Sequence, residues 1–110
     1  MEKTCKEKVK KNWTDRAKEL KKFFKDSDYE GLAQYGLSID KVDAGTFKGQ
    51  RENYIRYQFS WGGPSDELRI FENGDIEYWF LDWSDGACVD VTEDKTAQQT
   101  KDYVMEIVGF

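Results

Sequence analysis

Cys5, Val9, Trp13, Ala17, Leu20 and Phe24 recur at steps of four, four, four, three and four. That spacing predicts an α-helix with one apolar stripe and lysines over the remaining surface. Thr4-Cys5-Lys6-Glu7 fits a capping box, in which threonine and glutamate satisfy the free N–H groups at a helix start. Ser27-Asp28-Tyr29-Glu30 repeats the pattern, and Gly36 offers a stop, which predicts a short second helix over 28–35. A last helix is expected within 93–108, capped by Asp94 and carrying Tyr103, Val104, Ile107 and Val108.

Between these helices the period changes to two. Leu37 to Asp43 reads as a strand. Tyr54 to Trp61 alternates, with Ile55, Tyr57, Phe59 and Trp61 on one face, until Gly62-Gly63-Pro64 breaks it. Glu67–Phe71 and Asp75–Trp83 form a hairpin around Glu72-Asn73-Gly74. A two-residue loop would set Ile70 against Glu77. A three-residue loop pairs Ile70 with Ile76, Leu68 with Tyr78 and Arg69 with Glu77, and this register is preferred because it matches apolar with apolar and base with acid. The same loop type at Ser84-Asp85-Gly86 would set Trp83 opposite Ala87, Leu81 opposite Val89 and Trp79 opposite Val91. Trp79, Leu81, Trp83, Val89 and Val91 would then share a face that needs its own cover. If the last helix packs elsewhere, that face becomes an interface. The expected architecture is α+β: a four- or five-stranded antiparallel meander sheet packed by an N-terminal amphipathic helix, with a C-terminal helix, in one domain spanning 1–110.

Charge changes this picture. Residues 1–25 hold ten bases and four acids, whereas the stretch from Trp61 to Asp94 holds ten carboxylates and only Arg69. Gathering so much like charge costs stability through self-repulsion and points to a basic partner. No apolar run reaches the length of a membrane span, and the lysine-rich start lacks the apolar core of a signal peptide, so a cytoplasmic protein is expected. Cys5 and Cys88 read as free thiols of such a compartment.

Catalytic signatures are sparse. The chain has no histidine, which removes the commonest general base and metal ligand. With Gly86 at the turn position of a calcium loop, Leu81 and Trp83 would fall on ligand positions, so no metal or other cofactor is expected. Gly62-Gly63 is not followed by the Gly-Lys-Ser/Thr of a phosphate loop, and nearby Asp66 and Glu67 would repel phosphate. The reading is a non-enzymatic binding protein.

Trp61-Gly62-Gly63-Pro64-Ser65-Asp66, with Glu77-Tyr78-Trp79-Phe80-Leu81-Asp82-Trp83 and Asp85-Gly86-Ala87, resembles a pattern in small acidic proteins of phages and mobile elements, over about residues 54–91. Through that context the resemblance implies an anti-CRISPR-like or antirestriction-like inhibitor acting in a host cell. Asp66, Glu67, Glu72, Asp75, Asp82, Asp85 and Asp90 would imitate the phosphates of DNA and engage the basic nucleic-acid-binding surface of a protein such as a CRISPR effector. Trp79 and Trp83 would anchor the contact. Neither direct nucleic-acid nor membrane binding is expected, and the protein would be a monomer or homodimer. The alternative is a structural or immunity-type protein–protein interaction module that binds through the apolar tryptophan face. The leading expectation requires those acids to meet solvent as one patch.

Overall fold

A computed structural model describes residues 5–46, 50, 52–62, 64–82 and 85–109. The order is α1 (Cys5–Lys25), α2 (Tyr29–Tyr35), β1 (Ser38–Val42), β2 (Tyr54–Ser60), β3 (Ser65–Phe71), β4 (Ile76–Asp82), β5 (Asp85–Asp90) and α3 (Lys95–Ile107). The strands form one antiparallel meander in sequence order, so the fold is α+β. No helix is long and apolar enough to cross a membrane among the described residues.

The expected helical stripe is what α1 buries: Cys5, Val9, Trp13, Ala17 and Leu20 are buried, and Phe24 packs partly buried against the core. Its partners across the interface are Ile55, Tyr57 and Phe59 of β2, Leu68 and Ile70 of β3, and Ile76, Tyr78 and Phe80 of β4. Full burial of a side chain such as Leu20 or Ile70 contributes about 1.5–3 kcal/mol. Thr4, the expected cap of α1, lies outside the described residues. The second helix is capped one residue later than the capping-box reading has it. Asp28 accepts the Gly31 N–H at 2.9 Å, while Ser27 turns the chain with φ 52°. Gly36 closes that helix where a Cβ would lie 1.8 Å from the Tyr57 ring, whose hydroxyl donates to the Leu32 carbonyl at 2.9 Å.

The first hairpin has the expected register, Ile70 with Ile76, Leu68 with Tyr78 and Arg69 with Glu77. The second does not. Trp79 pairs with Cys88 and Tyr78 with Val89, and Asp82 lies opposite Asp85, so only residues 83 and 84 connect the strands. The offset from the expected pairing is odd, which turns every β5 side chain to the other face. Ala87 and Val89 therefore join the core side, under α1, and leave the company of Trp79 and Leu81. Trp61 departs from expectation as well. A bulge between Gln58 and Ser60 ends the alternation, and Trp61 is 76% exposed at the end of the sheet.

Asp94 caps α3 as expected, accepting the Ala97 N–H at 3.0 Å. This helix buries Thr96, Ala97, Thr100 and Val104 beside α1, on the same side of the sheet. Both long helices thus cover one face. No helix among the described residues covers the face that carries Trp79.

Candidate functional site

Asp66 sits at the bulged start of β3, in step with Leu68 and Ile70, and so points at α1. It is 3% exposed. Arg16 grips it with two bonds, Nε to Oδ2 and Nη2 to Oδ1, both 2.9 Å, and the Tyr78 hydroxyl donates to Oδ2 at 2.6 Å. Ser60 Oγ donates to Oδ1. Arg16 Nη1 reaches Tyr35 Oη at 2.8 Å, and that hydroxyl donates to Glu19. Burial, then the bond to Glu19, pushes the Tyr35 hydroxyl up to about 12. Burial and the bond to Asp66 hold the Tyr78 hydroxyl well above the ordinary 10. Both phenols stay protonated and donate. Asp66 is an internal anchor between helix and sheet, which corrects its assignment to a solvent-facing set.

Glu67 points the other way and is also 3% exposed. Arg69 Nε donates to it at 2.8 Å. The guanidinium lies over the Trp79 ring at 4.1 Å and over Tyr54 at 5.1 Å, a cation–π stack on the open face. Trp79 Nε1 donates to Glu77 at 3.0 Å. Glu67 is therefore already neutralised, and Trp79 is half-buried against its own sheet. Trp83, the second expected anchor, lies outside the described residues.

Asp82 and Asp85 flank the turn from β4 to β5, at the N-terminus of α1. Asp85 Oδ2 accepts the Cys5 N–H at 3.0 Å, from 80 residues away in sequence. Asp85 thus satisfies one of the free N–H groups at the start of α1. Asp85 is held below the ordinary 3.8 chiefly by that bond, whereas burial first, then Asp85, raises the Cys5 thiol. A carboxyl whose folded pKa is depressed stabilises above its unfolded pKa and loses that contribution as pH falls through the folded value. Asp85→Ala should speed amide exchange in the first turn of α1 at neutral pH, and the difference from wild type should vanish in acid below the ordinary aspartate range. Hydrogen exchange followed by NMR at both pH values checks this.

The remaining acids lie at the opposite end of β4, about 20 Å away along the strand. Glu72 is exposed at the β3–β4 turn, where it accepts from Asn53 at 3.0 Å. Asp75, Asp90, Glu93 and Asp94 are among the residues that line a cleft of about 560 Å³ between α1, the end of β5 and the start of α3, with Asp90, opposite Glu77, meeting its rim from the face of Trp79. Trp13, Val89 and Val91 are also among its lining, and Lys10 is its one cation. Main-chain pairing makes this meeting: Val91 N–H donates to the Ile76 carbonyl at 2.9 Å, and Ile76 N–H donates to Thr92 Oγ1 at 3.0 Å, which draws the turn with Asp75 beside Thr92. Asp90 accepts from the Thr92 N–H at 2.8 Å and from its hydroxyl, and these bonds hold it below the ordinary aspartate value. Asp94 is committed twice, to the Ala97 N–H and to Trp13 Nε1 at 3.3 Å.

The expected acids thus do not make one patch. Two are buried on opposite faces, Asp82 and Asp85 lie opposite each other at the start of α1, Glu72 stands at the β3–β4 turn with Asn53, and Asp75 and Asp90 line the cleft. Sequence reasoning counted Glu93 and Asp94 within the acidic stretch but did not place them in the site, nor Trp13 and Lys10. The signal available for them was position: Glu93 and Asp94 directly follow the strand whose partner begins after Asp75. Chemically, a cleft with aromatic and aliphatic walls and a carboxylate rim suits the stem and head of a lysine or arginine. No group of acids and thiols that could hold a metal occurs among the described residues, and Cys5 and Cys88 are free thiols. No family model, curated protein or solved structure matches this chain.

Proposed function

We propose that the chain is a non-catalytic binding protein that docks a basic surface of a partner protein, with the cleft at Asp75, Asp90 and Glu93 as the point of attachment. Four acidic residues around the rim of an aromatic-walled cleft lined by a single lysine carry this reading. Its target class is a nucleic-acid-handling protein, specifically a CRISPR effector, whose Lys/Arg-lined channel supplies the complementary charge. The triple variant Asp75→Lys, Asp90→Lys, Glu93→Lys tests it, sparing the capping Asp94. Purified effectors of several CRISPR types serve as probes, with binding read by interferometry and DNA cleavage as the functional readout. Wild type should bind at least one effector, weaken between about 50 and about 300 mM salt, and inhibit cleavage. The variant should fold and do neither. Equal binding by both proteins, or no effector bound, removes the proposal.

A second reading is favoured by the open sheet face. Tyr54 Oη, Arg56 Nε and Gln58 Nε2 are buried with no hydrogen-bond partner among the described residues, and all three belong to alternate residues of β2 on that face. An interaction module docking over Trp79 and Leu81 would bind with little dependence on salt, which separates the two readings.

A further inference from the structure

The sheet ends at β5, whose outer edge no strand among the described residues pairs. The bond from Val91 N–H to the Ile76 carbonyl sets the phase of the β4–β5 ladder. Alternation then turns the amides and carbonyls of Asp85, Ala87 and Val89 toward β4, and those of Gly86, Cys88 and Asp90 outward. The Gly86 N–H is taken by the carboxylate of Asp85 at 2.9 Å. Cys88 and Asp90 present the template that an incoming strand reads. Small, uncharged side chains fill the middle of this edge, and an aspartate closes each end.

We infer that β5 receives an extended segment of the partner as a sixth, antiparallel strand, and that the segment carries two adjacent Lys or Arg residues at its N-terminal end. This rests on the proposed binding to a basic partner and adds its geometry. A strand beside β5 alternates its side chains as β5 does. A residue opposite Asp90 lies on the open face, next to that carboxylate. Its neighbour opposite Val91 lies on the α1 side, at the mouth of the cleft with Asp75, Glu93 and Asp94. Two consecutive basic residues are therefore both neutralised, one on each face, while residues opposite Cys88 and Val89 need only be small or β-branched. A second copy of this chain fits poorly: laid antiparallel across Cys88, it sets Asp85 of each copy opposite Val91 of the other, on the α1 side at the mouth of the acidic cleft, so like charges meet.

The probe is a blocked, fluorescein-labelled hexapeptide of two arginines followed by alternating threonine and valine. Wild type should bind it and shift the Gly86, Cys88 and Asp90 amide resonances. Cys88→Pro removes an outward donor that the β4 ladder does not use, so the fold should persist while affinity falls about tenfold or more. A peptide N-methylated on the amides that face β5 should lose affinity equally against the unaltered protein, which keeps the test independent of whether Cys88→Pro folds. The triple cleft variant should lose binding as well. Strand addition is overturned if N-methylation and Cys88→Pro leave affinity unchanged while the cleft variant abolishes it, an outcome in which the basic-partner reading stands. Binding of neither peptide nor effector removes both, and concentration-dependent dimerisation through the same amides replaces the basic strand with a second copy.

Discussion

Asp66→Ala should cost about 3–5 kcal/mol of stability and lower the melting temperature by roughly 15–30 °C, read by urea and thermal unfolding. The cost arises because removing one member of a buried ion pair leaves the other uncompensated. Arg16, only 24% exposed at its side chain, would keep its charge in a site built around a carboxylate. The Tyr78 hydroxyl would lose its acceptor inside the core. Arg16→Ala in the Asp66→Ala background should add little further loss, because the two residues act as a unit. An Asp66→Ala protein within about 1 kcal/mol of wild type would show that the anchor is dispensable. The point matters for every functional test here. A charge-reversal set drawn from the acidic stretch as a whole includes Asp66 and Glu67, and it would abolish binding by unfolding the protein.

The long helices were legible for different reasons, α1 from its apolar period and α3 from its cap, although Ile107, expected in the core, is exposed. Cys5 to Leu20 forms one stripe and Asp94 precedes the last helix, and both do in the structure what the pattern says. The hairpin at Glu72-Asn73-Gly74 was legible as well, since Gly74 takes φ 101° and the pairing matches apolar with apolar. Gly86 misled because its glycine serves a different need. It lies within β5 opposite Leu81, and a Cβ there would meet Leu81 Cδ2 at 2.8 Å. A glycine that makes room for a neighbour looks, in sequence, like a glycine that makes a turn. The acids were harder still. Asp66 shares the period of Leu68 and Ile70, which marks it as core-facing, but its neutralising Arg16 is 50 residues away on the flank of a helix. Glu67 and Arg69, two apart on one strand, were legible as a pair. The cleft was not, because it forms only where three non-adjacent segments meet.

Arg69→Ala should release the open face, lowering stability by roughly 2–4 kcal/mol and exposing Trp79 to water. The side chain of Arg69 is 17% exposed and that of Glu67 is 4% exposed, so each neutralises the other away from bulk solvent. The guanidinium is also the layer between Trp79 and Tyr54. Alanine leaves Glu67 charged without its donor and takes from Trp79 the surface it rests on. The loss should stay below that at Asp66, because an open face lets water reach Glu67 once the arginine is gone. Incorporation of 5-fluorotryptophan gives the readout: the Trp79 fluorine signal should gain a solvent isotope shift that the buried Trp13 signal does not. Arg69→Lys should be intermediate, since an ammonium keeps the charge but cannot lie flat on both rings. Glu67→Gln in the Arg69→Ala background should recover stability without restoring the Trp79 environment, separating the ion pair from the stack. An unchanged Trp79 signal in Arg69→Ala would mean that the ring is held by its bond to Glu77 alone. In that case the ring is not pinned by Arg69, and it is free to serve a partner docking over the sheet.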